Sequence, residues 1–212
     1  MATTTPNYGW AVPTSTDLVK DGATAIETLG DSIDASMFTA LGTNKAGMVL
    51  LNTTSFSAVS SQSINDVFSA TYDNYKVVVS SGVSTNADRV ISLRLRVGGA
   101  DDSNSAYRLF SDGINASGTG VNSTSTSTTS FVLQTNAHYN DALFSATFDV
   151  INPFAATDTN ISGQSVGGNN TVNFGLNING SFISETSFTG FSLLNSSGNF
   201  SSGKVSVYGY NK

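Results

Sequence analysis

A chain of 212 residues with 11% charged and 39% hydrophobic side chains, a net charge of −6 and no cysteine is long enough for one sizeable core and short for two. The acidic balance excludes the basic footprint of a nucleic-acid binder, and the lack of cysteine removes disulfides, thiolate catalysis and thiolate metal sites together. Neutral Ser, Thr, Asn and Gly fill much of the rest, but 13 Phe and 7 Tyr separate the chain from disordered sequences, which pair low hydrophobicity with high charge.

Residues 1–13, MATTTPNYGWAVP, show no basic stretch followed by an apolar run. No span of the chain is long and apolar enough for a bilayer, so the expectation is a soluble protein made in a cytoplasm, with no membrane partner. Pro6 and Pro13 disfavour helix at the residues before them. They predict an extended arm that presents Tyr8 and Trp10 either to a partner surface or back onto the chain's own domain.

Residues 14–37 carry the one helical pattern. Leu18, Val19, Ile26, Leu29, Ile33 and Met37 recur at spacings of three and four, with Asp17 or Asp21 placed to cap the start. Val19, Ile26, Leu29 and Ile33 also fit a short a/d seam, enough to set the register of a trimer or to dock on another protein; packing of the stripe on the chain's own β domain is the competing assignment. Residues 38–47, FTALGTNKAG, read as a linker. They divide an arm and helix over residues 1–40 from a β domain over residues 41–212.

Beyond the linker the pattern turns to period 2. Tyr75, Val77 and Val79 alternate with polar residues, as do Ile91, Leu93, Leu95 and Val97 with Ser92, Arg94 and Arg96, which predicts a hairpin between them with Arg94 and Arg96 on the polar face. Asp101, Asp102, Ser103 and Asn104 bunch oxygen donors in a turn without the closing Glu of a calcium loop. Residues 112–130, rich in Ser, Thr and Gly, read as a surface loop or a loose edge hairpin. Phe144, Ala146, Phe148 and Val150 share one face of a strand. Val172, Phe174, Leu176 and Ile178 share a face of another, closed by Gly180. Gly190 marks a candidate bulge in the next, and Val205 and Val207 oppose Tyr208 and Tyr210 in a terminal strand.

The inventory argues against an enzyme and calls for no cofactor or metal. His138 is the single histidine, no nucleophile elbow sits between a strand and a helix, and Asp149 and Glu185 have no sequence signal bringing them together as a carboxylate pair. Binding is the surviving class. Tyr107, Phe110, Tyr139 and Phe154 lie near predicted strand ends, and Tyr107, Phe110 and Tyr139 are the candidates for stacking on a host surface glycan, with core or subunit interface as the competing assignment.

The opening PNYGWAVP with STDLVKDGATAIETLGDSID resembles the N-terminal segment of tailed-phage tail-fibre and minor tail proteins, in which a short arm and helix attach or trimerise the chain. SINDVFSATYDNYKVVV, the LRLRV after it and the closing SGKVSVYGY resemble a β-sandwich domain of phage virion proteins. The resemblance implies a non-enzymatic virion protein: a short tail fibre or minor tail protein, or a capsid decoration or head-fibre protein held through its arm. The implied partners are other virion proteins, a homotrimer through Tyr8, Trp10, Leu18, Val19, Ile26, Leu29 and Ile33, and host glycan. The expected fold is an all-β antiparallel sandwich, jelly-roll-like, preceded by an extended arm and one short α-helix.

Overall fold

The computed structural model of the chain describes residues 3–14, 16, 18–41, 47–83, 89–137, 143–168 and 173–212. They form two compact units, Met1–Gly47 and Met48–Lys212.

In the first unit the arm is a small hairpin and not an extended segment. Strands β1 (Thr3–Thr4) and β2 (Ala11–Val12) pair antiparallel, and the turn is closed by Thr5 N–H donating to Trp10 O at 2.9 Å and Gly9 N–H to Thr5 O at 3.0 Å. Gly9 sits at φ +68°, a left-handed conformation that glycine adopts without steric cost; the prolines said where helix could not form but not that this glycine would reverse the chain. A 3-10 turn over Val19–Asp21 leads into helix α1 (Gly22–Leu41). Leu18 is the extended residue capping that turn, without a side-chain cap bond, so it stands ahead of the helix. The helix also runs through Phe38, past the expected linker start, and residues 42–46 lie outside the described ones.

The second unit holds strands β3 (Met48–Phe56), β4 (Ser61–Ile64), β5 (Asn74–Val83), β6 (Arg89–Val97), β7 (Ala100–Asp101), β8 (Tyr107–Asn115), β9 (Gly120–Thr128), β10 (Phe131–Ala137), β11 (Leu143–Ile151), β12 (Thr159–Gly168), β13 (Asn173–Phe182), β14 (Gly190–Asn195) and β15 (Phe200–Tyr210). One antiparallel sheet runs β3-β15-β5-β11-β12-β13-β8-β9, and the facing sheet runs β10-β6-β14-β4, with β7 paired to β6. Taken alone, β3, β4, β5, β6, β10, β11, β14 and β15 pair as first with eighth, eighth with third, third with sixth, and second with seventh, seventh with fourth, fourth with fifth. That is the wiring of a jelly roll. The hairpins β8-β9 and β12-β13 are inserted between its strands, and together they widen one sheet by four.

The expected hairpin of β5 and β6 is replaced by a crossing. β5 pairs with β11 and β15, whereas β6 pairs with β10 and β14 in the other sheet. Period 2 located both strands and their inward residues, since Tyr75, Val77 and Val79 face Ile91, Leu93 and Leu95 across one core, all essentially solvent-free. Alternation specifies a buried face but not which strand lies alongside; only a tight two-residue turn would have forced adjacency.

Glycines explain other departures. β13 continues through Gly180 to Phe182, because a Cβ at Gly180 would press on the Phe131 ring. β14 keeps an unshifted register at Gly190, without a bulge, and the glycine lets the Ile64 carbonyl approach. Strand β12 carries no apolar alternation at all. Its inward residues are Thr159, Ile161, Gly163, Ser165 and Gly167, small because β10 and β11 press close, with Ser165 Oγ meeting Gln134 Oε1 at 2.6 Å in the buried interior.

Candidate functional site

The arm is fixed to its own helix. Tyr8 and Trp10 stack at 5.1 Å between ring centroids, and Trp10 Nε1 donates to Ser36 Oγ at 2.9 Å. β2 lies along α1, where Ala11, Val12 and Pro13 line a cleft with Thr24, Ala25 and Thr28. The half-buried positions of α1 include Ala25, Leu29, Ser32, Ile33 and Ser36, while Thr24 and Thr28 stay exposed, so at about 100° per residue the flank under the hairpin takes in Leu29 and Ile33 beside the small residues. The flank carrying Ile26 and Met37 is exposed. Val19 is 97% exposed, Ile26 65% and Met37 53%, with Leu29 and Ile33 half-buried in the same stripe. Glu27 and Asp31 stand away from that stripe, Asp34 borders it three residues before Met37, and α1 carries no basic residue. Of the predicted attachment residues, Ile26, Leu29 and Ile33 share one helix face with Val19 leading into it. Leu18 stands outside the helix, and Trp10 faces its own unit.

The predicted glycan contacts separate. Tyr107 is fully buried, its hydroxyl donating to Asp102 O at 2.8 Å and accepting from Leu95 N–H at 3.0 Å, with Phe131 and Phe182 edge-on to its ring. Burial pushes its hydroxyl well above the ordinary tyrosine range. It is part of the core. Phe110 is 51% exposed on the opposite face of β8. Residues three apart on a strand always face opposite ways, a signal present in the sequence. Tyr139 and His138 lie outside the described residues.

Arg94 and Arg96 are occupied internally. Arg96 pairs with Asp101 and with the Gly99 carbonyl, and donates to Ser192 Oγ at 2.9 Å and Asn65 Oδ1 at 3.0 Å. Ser192 gives its one proton to Asp101 Oδ1 at 2.7 Å, so Ser63, 2.9 Å from Ser192 Oγ, is the donor in that pair. Arg94 holds Thr129 through its carbonyl at 2.9 Å and its hydroxyl at 3.2 Å. The Asp101 turn is thus a counter-ion for Arg96, and the Arg94 and Arg96 face closes its own sheet. On the other sheet's outer face Asp149 accepts from Lys76 Nζ at 3.0 Å and from Tyr210 OH at 2.7 Å. That environment holds the carboxylate by cation and phenol. Burial, then the Asp149 hydrogen bond, raises the Tyr210 hydroxyl; burial pulls Lys76 down, but its bonds to Asp149 and Tyr210 outweigh it and leave the ammonium raised.

Among the described residues no three His, Cys, Asp or Glu side chains gather as a metal site, and no helix is long and apolar enough to cross a membrane. Compared with known proteins, the sequence matches no family model and no curated protein.

Proposed function

We propose that this chain is a non-enzymatic structural protein of a bacteriophage particle, a short tail fibre or minor tail protein that assembles as a homotrimer through α1 and displays the jelly roll outward. The observation that carries this reading is the exposure of Val19, Ile26 and Met37 on a helical unit whose own hairpin packs along another flank. Val19 and Ile26, at the a positions of a short heptad seam and left exposed by the unit's own hairpin, suit self-association. The likeness of the opening and closing segments to phage virion proteins supplies the particle. The same exposed flank also suits a capsid decoration or head-fibre protein gripping a lattice through residues 1–37.

Gold-labelled antibody raised against the sandwich, applied to purified particles and imaged by electron microscopy, tests the assignment. Label on the tail is the expected result, label on the head selects the decoration reading, and unlabelled particles containing no such chain contradict both.

A further inference from the structure

A glycine within a strand weakens it, and so marks a bulge, a bend or a close approach by something else. Gly163, Gly180, Gly190 and Gly209 have that reason within the fold, because a Cβ at each would strike backbone or ring atoms. Gly175, on the sixth strand of the widened sheet, has none. Its pairings with Val166 on β12 and Ile114 on β8 run without register shift, its φ is not left-handed, and a Cβ there would meet nothing within 4 Å. The missing side chain opens a depression of about 500 Å³ on the face away from the core.

The surroundings of that gap have a definite chemistry. Ile114 and Val166, each 56% exposed, wall it on two sides. One rung along, Gln164 Nε2 donates to Asn177 Oδ1 at 3.3 Å and Asn177 Nδ2 donates to Asp112 Oδ2 at 3.2 Å. This relay fixes three polar groups across three strands and leaves Asp112 Oδ1 and the Gln164 carbonyl without a donor among the described residues. Phe110 stands one rung further on the same face. No cation lines the depression; Arg108 is four residues up β8, about 13 Å away at strand rise.

We propose that this depression binds the ring of a neutral sugar, a reading that rests on the outward display of the jelly roll for access to its ligand. The C–H face of the ring lies over Gly175 between Ile114 and Val166. Its hydroxyls donate to Asp112 and Gln164 and accept the spare amide hydrogens of Asn177 and Gln164. The lone carboxylate repels anionic sugars. A peptide strand is disfavoured because β12, β13 and β8 are paired on both sides and offer no backbone edge here.

An array of neutral saccharides, with sialylated and phosphorylated ones as the anionic arm, probed with the labelled full-length chain, tests this. Binding to a subset of the neutral ones is expected. Gly175→Val should abolish it without lowering the thermal midpoint, because the new side chain fills ligand space and its Cβ meets nothing within 4 Å, and the near-isosteric Asp112→Asn should weaken it about tenfold. Absence of neutral binding, binding confined to anionic sugars, or a Gly175→Val chain that binds as well as the parent overturns the site. Particle labelling is read separately, so the display reading stands or falls without it.

Discussion

The two units solve the burial of apolar surface in opposite ways. The jelly roll closes on itself, with Phe148, Phe191, Leu193 and Val207 from facing sheets all without solvent contact. The helical unit half-buries Leu29, Ile33 and Ser36 on its hairpin flank and leaves Ile26 and Met37 exposed. A unit that leaves part of its apolar stripe exposed has surface left to bury, whereas the sandwich buries its own core. On the proposed function assembly falls to the first and stability to the second, and substitutions should sort the same way.

The largest loss should come from the sandwich core. Phe148→Ala removes an aromatic ring buried between β5 and β12 and should cost about 3–5 kcal/mol, measured by denaturant unfolding followed through the far-UV signal. Ile26→Asp should leave that transition unmoved; a comparable loss from Ile26→Asp would break the division between the units.

Next in size is Tyr107→Phe, which strips Leu95 N–H and Asp102 O of their shared partner in the interior. It should cost about 1–3 kcal/mol. The same residue governs the alkaline limit. The hydroxyls of Tyr107, Tyr75 and Tyr210 and the Lys76 ammonium all have folded pKa values above their ordinary ones. Their contribution is therefore fully present below about pH 10 and is lost as pH climbs through the raised values. Stability measured from pH 8 to 12 should fall steeply above pH 10, and the Tyr107→Phe chain should fall less steeply. A flat profile would contradict the burial of these phenols.

The smallest effect should be Asp149→Asn. Its ion pair with Lys76 is a third or so exposed at both partners, so the loss should stay below about 1 kcal/mol. A loss several times larger would mean that the outer face of the eight-stranded sheet is buried in the assembly, sharpening the boundary between the two roles.

Much of the sandwich was legible because its inward faces repeat at period 2: the apolar residues of β5, β6, β11 and β15 named from alternation are buried, except Val97, which is exposed at the end of β6. Their wiring was not, since alternation is silent about neighbours and a jelly roll sends consecutive strands to opposite sheets. Strand β12 was invisible for a different reason. It packs so tightly that Gly163 and Ser165 stand where a hydrophobic signal would be. The helix stripe was readable from its three- and four-residue spacing, but which part of it stays exposed depended on the Gly9 turn bringing Trp10 to Ser36. Tyr107 was misassigned from proximity to a strand end, although its odd separation from Phe110 already placed the two on opposite faces. The depression over Gly175 left no residue-type signature, because what defines it is a side chain that is missing.

Light scattering after size exclusion, on the full chain and on its Ile26→Asp/Ile33→Asp form, tests the division of labour most directly. The full chain should elute at three times the 22.0-kDa chain mass, and the double substitution should bring it to one chain mass with the sandwich unfolding transition unchanged. A full chain that runs as a monomer, or a trimer indifferent to both substitutions, would contradict assembly through the helix.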